Sequence, residues 1–300
     1  MAITTGNFPK LLWPGLNAIF GTTYDSYEKL WPKLFDQKTS DKAYEEDVQV
    51  TGFGLAGVKP QGQPITYETM QQGFTSRYVN ITYGLGFIIT KEEIDDNLYL
   101  GAGEIRTEQL SFVMDTTKEI VLHGIYNNSF SNTGPDGVSL INSAHPVVGG
   151  GTQSNTLATA MQLSEAGLES ACINIGLLKN DRGIQIHIQP RCLVIPTQLG
   201  PDAYRILRST LQSGTANNDV NYLRAAGLIP DIIVSPFLAV NPHYWYIRTN
   251  CPNGMKYFSR APLEFTQDND FDTENAKFKA MERYSAGYSD WRALFGVNAT

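Results

Sequence analysis

Long apolar runs, basic runs and paired cysteines are all missing from this 300-residue chain. No stretch approaches the roughly 18 consecutive apolar residues of a membrane-spanning helix, so no span is expected. The three cysteines, Cys172, Cys192 and Cys251, form no C-x-x-C pair and are odd in number. That argues against a secreted disulfide framework and for reduced thiols. A net charge of −7, with Lys and Arg spread singly, provides no cluster for phosphate and argues against a general nucleic-acid-binding surface. Met1 to Lys10 lacks the basic and apolar regions of a signal peptide, so none is expected. Catalytic signatures are absent as well: there is no G-x-S-x-G elbow, Walker loop, H-E-x-x-H or kinase set.

The remaining candidates for chemistry are weak. Gly52-Phe53-Gly54-Leu55-Ala56-Gly57 looks like a dinucleotide loop but does not join a strand to a helix N-terminus, so no cofactor is expected. His123, His145, His187 and His243 show no ligand spacing. A thiol hydrolase could pair Cys172 with His145, yet Cys172 falls on the apolar stripe of its helix, where it reads as a small hydrophobe. Asp268 to Glu274 places carboxylates at alternate positions, but Thr273 and Lys279 stand where a calcium loop needs Gly and Glu. An acidic turn, salt-bridged to an Arg of another subunit, is the expectation there.

What the chain does have is a run of aromatic residues at its start and a long hairpin after it. Phe8, Trp13, Phe20, Tyr24, Tyr27, Trp31 and Phe35 crowd the first 35 residues. Phe20, Tyr24, Tyr27, Trp31 and Leu34 share one helical face, and Pro32 limits that helix. The face packs either on the chain's own core or, as an arm anchored by Trp13, Phe20 and Trp31, on a neighbouring subunit. From Asp47 to Tyr83 two long strands are expected around the Pro/Gly loop Gly57–Pro64, the return strand alternating at Ile65, Tyr67 and Thr69. Such a hairpin has too little core of its own and must lie on something else.

Beyond it, Thr90-Lys91-Glu92-Glu93 is a capping box opening a short helix that Gly101-Ala102-Gly103 ends. The longest helical pattern follows, Glu104–Asn127, with a stripe through Leu110, Val113, Met114, Thr117, Ile120, Val121 and Ile125. Ser164 caps a further helix carrying Leu168, Ala171, Cys172, Ile175 and Leu178. Strands are expected at Ile184–Gln189, Cys192–Ile195, Asp231–Val234, Tyr244–Thr249, Met255–Phe258 and Lys277–Tyr288, with a helix near Pro201–Leu211. Helices and strands come in runs rather than βαβ units, so the class is α+β.

Several segments resemble the major capsid proteins of tailed phages with the Hong Kong 97-type fold, most of all the Mu-like major head subunit. They are Phe20-Gly21-Thr22-Thr23-Tyr24, the run Tyr83 to Glu93, Ser143-Ala144-His145-Pro146 with Gly149-Gly150-Gly151-Thr152, and Asp181-Arg182-Gly183 leading to Pro190. The tail adds Asp270-Phe271-Asp272-Thr273, Arg283-Tyr284-Ser285 and Asp290-Trp291-Arg292.

The resemblance implies an N-terminal arm at 1–46, an extended loop (E-loop) hairpin at 47–90 and a peripheral (P) domain with a spine helix at 91–162. An axial (A) domain would occupy 163–250, and 251–300 would return to the P domain. It further implies a shell of hexamers and pentamers around packaged double-stranded DNA, bound without sequence specificity. Partners would be a separate scaffolding protein, a maturation protease, a portal and a decoration protein, with no cofactor, no enzyme activity and no membrane. The place would be the virion capsid, assembled in the host bacterial cytoplasm. Phe53, Leu55, Tyr67, Phe74 and Tyr78 are the expected E-loop contacts. Some shells crosslink a Lys of this loop to a neighbour's Asn; Lys59 sits at the tip but reads first as a solvated turn lysine. The other readings are an encapsulin-like compartment and the Cys/His hydrolase.

Overall fold

The computed structural model of the chain describes residues 8–96, 99–212, 219–238, 240–270 and 272–299, with the backbone alone for residues 8–14, 94, 95 and 99–102. In chain order its elements are α1 (Phe8–Ser26), α2 (Trp31–Leu34), β1 (Asp36–Thr39), β2 (Tyr44–Val50), β3 (Gln72–Val79), β4 (Ile81–Ile89), α3 (Lys91–Asp95) and α4 (Tyr99–Asn127). There follow β5 (His145–Pro146), β6 (Thr152–Gln153), α5 (Glu165–Gly176), β7 (Pro190–Pro196), α6 (Gly200–Arg208), α7 (Tyr222–Ala225) and β8 (Asp231–Ser235). The last are β9 (Trp245–Thr249), β10 (Met255–Asn269), β11 (Ala276–Tyr288) and β12 (Leu294–Val297).

Two four-stranded sheets organise the chain. The first has the order β1-β10-β11-β4, with β1 parallel to β10 and the other pairs antiparallel. The second has the order β12-β9-β7-β8. Its central strand β7 is buried along Cys192–Pro196, as a continuous apolar run requires when both faces are covered. Helix α5 contributes Leu168, Ala171 and Ile175 to the same buried cluster as β7, and it is capped where expected by Ser164 Oγ accepting from Gly167 N at 3.2 Å.

The division expected by domain does not follow the sheets. β12 lies within 251–300 yet pairs with β9 of the second sheet. β1 lies within the expected arm yet pairs with β10, and β4 lies within the expected hairpin yet pairs with β11.

The aromatic stretch at the start forms two helices rather than one. Pro32 stands in the first turn of α2, where a missing N–H leaves no helical bond unmade. Leu30 N and Trp31 N instead donate to Glu119 Oε1, at 2.7 and 3.2 Å.

Helix α4 starts before the glycines expected to end its predecessor. A glycine costs a helix only about 1 kcal/mol, and here Gly103 has a packing role: a Cβ on it would meet Ile89 Cδ1 at 3.3 Å. The 29-residue helix is about 43 Å long. Its buried face also differs from the expected stripe. Leu110, Met114, Leu122 and Tyr126 are buried together with Asp115, Lys118, Glu119 and His123, while Val113 and Ile120 face outward. Polar partners replace apolar neighbours on the inward side: Lys118 Nζ lies 2.8 Å from Glu282 Oε2, and Glu119 caps α2.

Two strand expectations and the partner expected of the acidic turn need correction. Ile184–Gln189 forms no ladder beyond the Lys179–Gln185 bridge, and Ile188 N turns back to donate to Ile186 O at 3.0 Å. β10 runs on to Asn269 because bulges at Ser259–Ala261 and Ala261–Glu264 absorb Pro262. The acidic turn is held by lysines of its own chain, with Lys277 Nζ 2.5 Å from Asp270 Oδ2 and Lys91 on Glu274. Among the described residues no group of three or more metal-ligating side chains gathers, and no helix is long and apolar enough to cross a membrane.

Candidate assembly surface

The hairpin β2–β3 carries a long, bare loop. Its ladder runs from Tyr44–Val79 to Val50–Gln72, and Thr51 and Gln71 add one more closure, Thr51 N donating to Gln71 O at 2.9 Å. Beyond that point few bonds tie the two arms: Gly54 N donates to Glu68 Oε2 at 2.7 Å, and Gln63 N to Pro60 O at 3.2 Å. The strand expected through Ile65, Tyr67 and Thr69 is therefore not formed. Two prolines and a polar, glycine-bearing tip leave the arms without a continuous ladder.

This loop exposes apolar side chains that the rest of the molecule does not cover. Leu55 is 80% exposed, Tyr67 85% and Val58 95%, and Phe53, Ile65 and Met70 are about half exposed or more. Burying each would contribute on the order of 1.5–3 kcal/mol. So many bare apolar side chains on one short segment mark it as an interaction site. Helix α4 offers a second patch, with Ile105, Phe112, Val113 and Ile120 exposed along it.

The base of the hairpin is fastened to the body. Tyr78 is buried with its ring 5.1 Å from that of Phe258, and its hydroxyl is 2.5 Å from Ser289 Oγ. Ser289 Oγ donates to Asp47 Oδ2 at 2.8 Å, and Lys256 pairs with the same carboxylate. Burial works against that charge, but the Lys256 and Ser289 bonds hold Asp47 below the usual carboxylate range. Where β3 passes into β4, Asn80 Nδ2 donates to Ser40 Oγ at 2.8 Å and Ser285 Oγ donates to Asn80 Oδ1 at 2.8 Å.

The expected contact residues divide accordingly. Phe53, Leu55, Lys59 and Tyr67 are exposed on the loop, and Phe74 is half-buried in β3. Tyr78, Phe20 and Trp31 are buried in the core of their own chain. Phe20 stacks on Phe265 at 4.7 Å, and Trp31 packs 4.5 Å from Tyr257 under the Lys118 ammonium. The Trp13 side chain lies outside the described residues. Val58 and Met70 fall on no helix or strand period, so the residue pattern carried no signal for them.

The Cys/His pairing finds no geometry to support it. His145 is buried, stacked on Trp291 at 4.3 Å, with Nδ1 2.6 Å from Asp136 Oδ2 and Nε2 3.1 Å from Asn155 Oδ1. Both ring nitrogens are thus engaged. Burial pushes the Cys172 and Cys192 thiols up to about 11, and Cys251 higher still, so none is a ready nucleophile.

Comparison with known proteins agrees with this architecture. A family model described as phage capsid protein matches residues 74–297. No curated protein matches the sequence. Among solved structures, the chain is similar to the virus-like particle from Pyrococcus furiosus, at 10% identity over 95% of this chain and 98% of that one, with a TM-score of 0.56. It is similar to the Mycobacterium phage Che8 structure at 12% identity over 90% and 91% of the two chains, TM-score 0.52. The capsid of Myoviridae phage XM1 follows at 11% identity over 88% and 89%, TM-score 0.50. At such identities the likeness speaks for the fold, the Hong Kong 97-type capsid fold, and the family model speaks for the sequence. The chain belongs to the phage capsid protein family, as a structural major capsid protein that assembles with its own copies into the capsid of a virion.

Proposed function

We propose that the subunit forms hexamers and pentamers that close into an icosahedral shell, and that loop 51–71 is the E-loop, laid across a neighbouring subunit. One observation carries this reading: an extended loop whose apolar side chains are bare in the single chain but whose base is firmly anchored. Bare apolar groups on an anchored support are what an intersubunit contact needs. Phe53, Leu55 and Tyr67 are its anchors, and Lys59 is a solvated tip residue. The segments Tyr83–Glu93 and Asp181–Gly183 favour the Mu-like branch.

The shell encloses double-stranded DNA, and a net charge of −7 suits a lining along which DNA slides rather than sticks. A separate scaffolding protein, a maturation protease, a portal and a decoration protein complete the assembly in the host bacterial cytoplasm. The subunit itself performs no catalysis, consistent with its raised thiols and engaged His145.

Deletion of Gly57–Gln63 tests the reading. The subunit is expected to fold with an unchanged thermal midpoint and to fail to close shells, as seen by negative-stain electron microscopy. Normal particles from the deletion would overturn the loop's role.

A further inference from the structure

The turn Asn180–Gly183 joins helix α5 and β7 of the second sheet, yet its side chains reach the hairpin. Asn180 Oδ1 accepts from Arg182 N and Ile184 N, both at 2.9 Å, and Gly183 takes φ +77°, so the turn is a built one. Gly149 packs against it so closely that a Cβ there would stand 2.1 Å from Asp181 O. Arg292 Nη2 holds Asp181 Oδ1 at 3.0 Å, leaving Oδ2 to accept from Gln49 Nε2 of β2 at 3.0 Å.

From this support Arg182 extends across the mouth of the loop. Its Nε donates to Gly52 O at 3.2 Å and its Nη2 to Thr69 O at 2.9 Å. These two carbonyls belong to opposite arms, one and two residues beyond the Thr51–Gln71 closure. The planar fork of a guanidinium suits such a bridge, because its donors are fixed relative to one another. Arg182 is itself exposed, so the core does not require it. An exposed side chain that ties both arms just past the end of the ladder controls how the bare segment leaves the body.

We propose that Arg182 is a positioning residue for assembly: it clamps the two arms of the loop to the second sheet and sets the direction in which the loop reaches its neighbour. The proposal rests on the reading of loop 51–71 as an intersubunit contact. It adds that the aim of this contact is set by a residue that touches no neighbour.

The test is Arg182→Ala in the full chain, alongside the Gly57–Gln63 deletion. Thermal midpoint, amide exchange and electron microscopy are read on each. With Arg182→Ala the thermal midpoint stays unchanged, while exchange at the Thr51 and Gln71 amides rises about tenfold as the closure beside them loosens. Closed shells give way to open sheets, tubes or free capsomers. Unchanged exchange, or shells of normal shape from Arg182→Ala while the deletion blocks closure, overturns the clamp and leaves the loop contact standing. Normal shells from the deletion overturn the loop contact, and the clamp falls with it.

Discussion

Lys118 Nζ lies 2.8 Å from Glu282 Oε2, and both side chains are almost wholly buried, at 8% and 2% exposure. The pair joins the middle of α4 to β11 beneath a roof of aromatic rings. The ammonium stands 5.0 Å from the Trp31 ring centre and 5.2 Å from those of Tyr257 and Tyr284. Burial alone would lower the lysine pKa; the Glu282 carboxylate beside it reverses that and holds it above the usual lysine value.

Removing one member of this pair leaves the other charge buried without a partner. Lys118→Met is expected to destabilise the subunit by about 3–5 kcal/mol, and the double variant Lys118→Met/Glu282→Leu to recover most of that loss. Thermal unfolding of the wild type, both single variants and the double variant gives the coupling. Additive losses would show that the two groups do not act as a pair.

One turn before Lys118 on α4, Asp115 has the opposite problem. It is 5% exposed, and its Oδ1 has no hydrogen-bond partner among the described residues. Burial, and then the Glu119 charge, push its pKa from 3.8 up to about 6. The folded state therefore binds this proton more tightly than the unfolded state does. Its contribution to stability is complete below about pH 4 and is lost as pH rises through about 6. Asp115→Asn, which stays neutral, is expected to exceed the wild type by about 2–3 kcal/mol at pH 8 and to match it near pH 4. Thermal midpoints measured across that range check the sign; a gain that grew toward acid would contradict it.

Local signals in the sequence were readable wherever a short-range bond fixed them. Thr90 and Glu93 form the reciprocal box expected of their spacing: Thr90 N donates to Glu93 Oε2 at 3.1 Å and Glu93 N to Thr90 Oγ1 at 3.2 Å. Ser164 and the β7 run also stand where patterning puts them. The inward face of α4 was not readable, because hydropathy assigns Lys118 and Glu119 to solvent and cannot anticipate Glu282 arriving from 164 residues away. The same limit hid Tyr78, an aromatic on a hairpin that turns inward onto Phe258.

The loop itself was legible as a segment with too little core of its own, though not as one without a ladder. Alternation at Ile65, Tyr67 and Thr69 fits a strand, but β structure needs a bonded partner as well as a period. Arg182 was visible only as part of a shared Asp181-Arg182-Gly183 segment. Its bonds to Gly52 and Thr69 join residues 130 and 113 positions apart, a relation that only the folded chain displays.

The central claim is that the bare loop is an intersubunit contact in a closed shell. A three-dimensional electron-microscopy reconstruction of particles formed by this chain, with its scaffold co-expressed, tests it most directly. The account predicts closed icosahedral shells in which Phe53, Leu55 and Tyr67 are covered by a neighbouring subunit. A monodisperse monomer, or a shell whose loops stand free of every neighbour, would contradict it.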